Sequence, residues 1–278
     1  MIRRAVIVDS GLRGVGGHNF SYTMMMVEAL RKRGLSTRVV GSRQLDAGLG
    51  AQGIEPGFSI GVGLQPERTD LFHMLRFLSD RAQRFAAEVK ALVGPELEDP
   101  ETLVFSHTLA EFEGIAWSHL APALKCSLAI LIRQTPVYGA MPFWKRALHP
   151  YFRAQPVAAR ALRRAMRDRF CLLADGEALA QDLATGFGIP CTPVPVPVDP
   201  AVLGVAGAAQ SAPSRPTLGY LGDARAAKGF HLLPTLIPKV LAARDVRFLI
   251  QCPPARGGEA DAQIEIDRLK RVRSDCGD

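Results

Sequence analysis

Short β-rich runs alternating with longer helical stretches predict an α/β chain built on a parallel sheet. Two further observations divide that chain. Residues 199–216, DPAVLGVAGAAQSAPSRP, are rich in Ala, Gly, Pro and Ser and carry almost no charge, so they read as a linker. The strand–helix alternation then restarts in residues 217–278 with only two strands, whereas an independent doubly wound domain needs about a hundred residues. The expectation is a first domain over 1–198, a linker over 199–216, and a second domain over 217–278 that is only partly present.

The elements follow in order. RRAVIVD (3–9) is a β-branched run stopped by Asp9 and Ser10, and an amphipathic helix is expected from about His18 to Arg33 before TRVVGS (37–42). A helix across 67–93 leads to the strand TLVFSH (102–107), and a helix near 109–124 leads to SLAILI (127–132). Helices near 142–149 and 154–169 precede FCLLAD (170–175), and a helix from about Glu177 to Thr185 precedes CTPVPVPVDP (191–200). Past the linker come TLGYLG (217–222), a helix from about Phe230 to Ala243, VRFLIQ (246–251), and one more polar helical stretch. Strands separated by helices place helices on both faces of a parallel sheet.

With 278 residues, 47% of them hydrophobic and 22% charged, the chain has the composition of a soluble globular protein. Its longest apolar run, LAILI at 128–132, is far too short for a membrane span, and no signal peptide is expected. Five cysteines without C-x-x-C spacing read as buried thiols of a reducing cytoplasm. A formal net charge of +7 favours anionic partners. Nucleic acid is the weakest of these, because the aromatics, at 7%, do not interleave with the basic residues as a base-stacking surface requires.

The turn GLRGVGGHN (11–19) places glycines 11, 14, 16 and 17 between a strand end and a helix start. Unpaired backbone N–H groups and the helix dipole favour an anion there, and glycine allows its close approach. The dinucleotide fingerprint G-x-G-x-x-G fails at Asn19, and the second strand ends in Ser42 and Arg43 rather than in an acidic residue for a ribose diol. An NADP site using Arg43 stays open as the alternative, as does a tight turn serving packing alone.

GLRGVGGHNFSYTMMMVEALRKRGL (11–35) resembles the opening of glycosyltransferases of the GT-B fold. LGYLGDARAAKGFHLLPTLIPKVL (218–241) is similar to the start of the second Rossmann-like domain in family 4-type members, and FGIPCTPVPVPVD (187–199) to the segment by which they leave the first. The resemblance implies two Rossmann-like domains and a retaining, metal-independent transfer of a hexosyl-type sugar from a nucleoside-diphosphate sugar to a glycan or lipid-linked acceptor, with no cofactor. It implies that Gly16, Gly17 and His18 form the acceptor or phosphate-binding turn, and that Gly222, Arg225, Lys228 and Gly229 bind the donor diphosphate. His107, closing its strand, matches the cleft histidine that contacts the donor sugar and is the catalytic candidate; a histidine that merely caps the strand is the competing reading. An ammonium and backbone N–H groups converging on a leaving diphosphate stabilise charge that grows in the transition state.

Two departures accompany the resemblance. Asp223 stands where the family places its arginine, and Glu259 and Glu265 do not have the family's E-x7-E spacing, so the expectation is either a truncated product, inactive in this form, or a degenerate donor site. No D-x-D metal motif is present, DGE at 175–177 being the nearest, and no metal is expected. Arg160, Arg163, Arg164 and Arg167 fall on one face of the 154–169 helix. That face reads either as solvated or as a contact for an anionic membrane surface, so the expected location is cytoplasmic, with peripheral attachment to the inner face of the membrane left open.

Overall fold

A computed structural model describes the chain except for residues 16–17, 61–69, 108–110, 134–149, 196–214, 222–228, 252–259 and 277–278. It divides into two compact units, Met1–Val202 and Leu203–Asp278. The expected linker lies almost wholly outside the described residues, as does the helix near 142–149.

The first unit runs β1 (Arg4–Val8), α1 (His18–Lys32), β2 (Ser36–Ser42), the short α2 (Ala47–Gly50), β3 (Ile54–Phe58), α3 (Leu71–Leu97), β4 (Thr102–His107) and α4 (Glu111–Leu120). It continues with β5 (Ser127–Ile132), α5 (Pro150–Met166), β6 (Phe170–Ala174), α6 (Glu177–Phe187) and β7 (Cys191–Pro193). These seven strands form one sheet in the order β3-β2-β1-β4-β5-β6-β7, every pair parallel. The fold is thus the Rossmann-like α/β class expected from the alternation, with one strand more than expected: β3, the edge strand IEPGF.

Period-two alternation feeds two apolar cores, one on each face. Val6 and Val8, Val104, and Leu128, Ile130 and Ile132 point into one core beneath α3, α4 and α5, where Phe85 and Trp117 are fully buried. Ile7, Phe105, Ala129 and Leu131 point the other way, against Tyr22 and Val27 of α1. The indole N–H of Trp117 donates to Ser106 Oγ at 3.1 Å, so its polar atom is satisfied inside the core. Helix α3 begins on Asp70, whose carboxylate accepts from the backbone N–H of His73. Helix α6 ends at Gly188 in the left-handed conformation, φ 67°, which lets its N–H close on the Ala184 carbonyl.

The second unit contains β8 (Thr217–Leu221), α7 (Leu233–Ala243), β9 (Arg247–Gln251) and α8 (Ala260–Cys276). Its two strands pair parallel, and Phe230, Leu233, Ile237 and Leu269 form its buried core with Tyr220, Phe248 and Ile250 packed against them.

Candidate active site at the carboxyl edge of the sheet

The strand order reverses between β1 and β4, each of which starts a run in the opposite direction across the sheet. In open parallel sheets the crevice outside the carboxyl ends at this switch point is where ligands bind. Val8 of β1 pairs with Ser106 of β4, so the next residues, Asp9 and His107, meet directly at that point.

Both side chains are fully buried, and His107 Nδ1 lies 2.9 Å from Asp9 Oδ2. Three more donors close on the same carboxylate. The Gly11 N–H donates to Oδ1 at 3.1 Å, Asn19 Nδ2 to Oδ1 at 3.3 Å, and Thr23 Oγ1 to Oδ2 at 3.4 Å. Asp9 therefore ties the turn after β1 and the first turns of α1 to the end of β4. Beside it, Ser10 Oγ donates to the buried Glu113 of α4 at 2.5 Å.

The face of the imidazole stacks on Tyr22, with ring centroids 4.8 Å apart. On Tyr22 in turn lies the guanidinium of Arg133, 5.1 Å from the ring centroid. Arg133 follows β5 directly, and its Nε pairs with Asp175 Oδ2, just past β6, at 3.3 Å. Asp175, part of the near-miss DGE stretch, thus serves an ion pair. Burial raises the Tyr22 phenol above its usual range; Arg133 opposes this, and Asp175 adds to it. The phenol keeps its proton at neutral pH.

Three buried polar atoms of this stack have no hydrogen-bond partner among the described residues: His107 Nε2, Tyr22 OH and Arg133 Nη1. Buried polar groups are otherwise almost always paired, so three on one stack at a switch point single out this edge as the candidate site.

Of the residues expected from sequence, His107 occupies this edge. His18 opens α1 on the same edge, though its side chain, like Gly16 and Gly17, lies outside the described residues. Gly222, Arg225 and Lys228 also lie outside them. Gly229 is described: it adopts φ 75°, the left-handed region that favours glycine, immediately before the turn Phe230–Leu232. On α5, Arg160 donates to the Phe187 carbonyl and Arg163 to the Arg167 carbonyl, while Arg164 and Arg167 stay exposed. Two of its four arginines thus donate to carbonyls at or just past helix ends within the unit. Among the described residues no helix is long and apolar enough to cross a membrane, and no group of His, Cys, Asp and Glu is placed to hold a metal ion. Asp9, Tyr22 and Arg133 join His107 in this candidate site, and sequence reasoning does not single them out.

No family model matches the chain, and no curated protein does. Solved structures do. An α,α-trehalose-phosphate synthase (UDP-forming) from Burkholderia vietnamiensis matches with a TM-score of 0.54 at 15% identity, covering 98% of this chain and 70% of that one. The α,α-trehalose 6-phosphate synthase of Burkholderia multivorans matches at 0.55 and 13%, covering 99% and 70%. A trehalose-6-phosphate structure from E. coli, bound with UDP-2-fluoro glucose, matches at 0.50 and 11%, covering 99% and 71%. At these identities the likeness is one of fold.

Proposed function

We propose that the chain belongs to an enzyme that transfers a sugar from a nucleoside-diphosphate sugar to an acceptor. The observation that carries this reading is the buried Asp9–His107 pair at the switch point with His107 Nε2 left free, on a fold shared with sugar-transferring synthases. In this reading His107 contacts the donor sugar, and the turn at Gly16, Gly17 and His18 faces the acceptor or a phosphate. Lys228 and the backbone of the Gly222–Gly229 turn, with Arg225 beside them, neutralise the leaving diphosphate. The finer reading, from the family 4 resemblance, is a hexosyl transfer with retention and without metal, onto a glycan or lipid-linked acceptor.

The balance of the reaction is simple. The bond from the anomeric carbon to the diphosphate breaks, its electrons stay on the departing phosphate, and an acceptor hydroxyl forms the new bond while its proton passes to the departing diphosphate or to solvent. Release of nucleoside diphosphate from UDP-, GDP- and ADP-sugars, followed with and without EDTA, tests it. Turnover that survives EDTA and falls on His107→Ala supports the reading. Turnover abolished by EDTA and restored by Mg²⁺ or Mn²⁺ removes its metal-independent part, and absence of nucleotide release with every donor contradicts catalysis by this chain.

A further inference from the structure

The two strands that meet at the switch point finish alike. β1 runs into Asp9 and Ser10, and β4 ends in Ser106 and His107, so each supplies one titratable side chain and one serine. Successive side chains point to opposite faces of a sheet. Asp9 and His107 lie on the α1 face, where they meet each other and Asn19, Thr23 and Tyr22. Ser10 and Ser106 lie on the other face, and a single helix answers both. Ser10 Oγ donates to Glu113 at 2.5 Å, and the Trp117 indole N–H donates to Ser106 Oγ at 3.1 Å. Glu113 and Trp117 stand four residues apart on α4, which puts them on one side of that helix. All four residues are buried, and Val8, Val104 and Phe112 beside them in the chain belong to the apolar core of that face.

We infer that Glu113 and Trp117 are positioning residues: from the far face of the sheet, α4 sets the ends of β1 and β4 against each other and so holds the Asp9–His107 pair, with the turn that Asp9 fastens, in place for the ligand. Burying these groups is costly. A carboxylate and two hydroxyls inside an apolar layer give up their hydration, and well-packed apolar side chains of similar size often stabilise a core as well or better. What the polar pairs add is direction, because a hydrogen bond restricts distance and angle. Direction matters at this point. Asp9 Oδ1 accepts from the Gly11 N–H at 3.1 Å and from Asn19 at 3.3 Å, and Oδ2 lies 2.9 Å from His107 Nδ1, so a displaced end of β1 strains the turn, α1 and β4 together. Ser10 stands between Asp9 and Gly11, so its bond to Glu113 acts on the turn through one peptide. The identity of the ligand, though not the brace, rests on the sugar-transfer reading.

Amide hydrogen exchange and heteronuclear NMR of the full chain test the brace. Ser10→Ala is the first variant, since it deletes one hydroxyl and leaves Asp9, His107 and Glu113 in the chain. The Gly11 amide is expected to exchange about tenfold faster relative to the Ile7 and Phe105 amides inside the strands. The His107 backbone amide signal is expected to move, although the lost hydrogen bond lies on the opposite face. Equal acceleration of Gly11, Ile7 and Phe105 is a loss of stability alone and overturns the inference, as does an unmoved His107 signal. In Glu113→Gln the amide oxygen still accepts from Ser10, so Gly11 is expected to exchange more slowly than in Ser10→Ala; exchange as fast as in Ser10→Ala removes Glu113 from the brace. Trp117→Phe keeps an aromatic core residue and removes the N–H. It is expected to speed Gly11 relative to Ile7 and Phe105 by less than Ser10→Ala does, and an unaffected Gly11 removes Trp117.

UDP-glucose, GDP-mannose and ADP-glucose supply the ligand readout. Where one of them binds the unaltered chain, Ser10→Ala is expected to weaken it by about tenfold. Undiminished binding overturns the inference and leaves the sugar-transfer reading standing. If none of the three binds the unaltered chain, that reading falls, and the Gly11 and His107 amides alone decide the brace.

Discussion

The two units of this chain use the same strand–helix grammar at different scales. In Met1–Val202, seven parallel strands are covered on both faces, and two separate apolar cores lock the sheet between them. In Leu203–Asp278, two strands and their helices share one small core, and Leu218 and Leu249 of the strands stay 44% and 56% exposed. Buried area rises faster than chain length, so a sheet with one core has far less to set against its conformational entropy. The lesson is that repetition of a local pattern does not fix stability; the number of faces it covers does. The first unit holds a buried polar cluster without losing its core. In the second, the proposed phosphate-binding turn follows directly on a sparsely covered pair of strands.

Breaking a core in one unit sharpens this contrast most. Trp117→Ala removes the largest fully buried side chain of the first unit and orphans Ser106, and is expected to cost about 3–5 kcal/mol of that unit's stability. The second unit's hydrogen-exchange pattern should not change. Loss of protection in residues 230–251 together with the first unit would show that the two unfold as one. Lys228→Ala acts on the other side of the comparison. In a form of the protein that turns over a sugar nucleotide, it is expected to lower kcat/KM by the equivalent of about 2–4 kcal/mol of transition-state stabilisation, with no change in the first unit's melting. An unchanged kcat/KM removes Lys228 from the donor site.

A smaller effect is expected at Gly57 in the edge strand β3. A Cβ there would lie 2.6 Å from Val40 Cγ1 and 2.8 Å from Leu92 Cδ1, so Gly57→Ala should destabilise the first unit by about 1–3 kcal/mol. Urea unfolding checks it, and a neutral result would mean that the edge strand is free to shift. Thiol labelling gives the finest test. Burial pushes the Cys126 thiol up to about 11, whereas Cys171 is exposed. Cys171 should react with iodoacetamide at neutral pH in the folded chain and Cys126 only after the first unit opens; equal rates would contradict the packing of that core.

How much of this was legible in the sequence follows from physics at particular residues. The alternation that announces β1, β2, β4, β5 and β6 is strong because both faces of those strands are apolar. β3 escapes it because IEPGF contains Pro56 and Gly57, both unfavourable in strands. Its place at the sheet edge tolerates the proline, and the close approach of Val40 and Leu92 demands the glycine. His107 was legible as a polar residue closing an apolar strand. Its partner was not: Asp9 stands 98 residues away, and only the neighbouring of β1 and β4 brings them together. Tyr22 and Arg133 read as a helix core residue and a strand terminus. Their role comes from a stack that no spacing in the sequence announces.

A sugar-nucleotide site in this chain is the central proposal. Calorimetric titration of the chain with UDP-, GDP- and ADP-sugars, in parallel with NADP, tests it most directly. Saturable binding of at least one sugar nucleotide is expected, tighter than its nucleoside diphosphate and weakened by His107→Ala, with no binding of NADP. Tight NADP binding with no response to any sugar nucleotide would contradict it and make the strand edge at Asp9 and His107 a dinucleotide site.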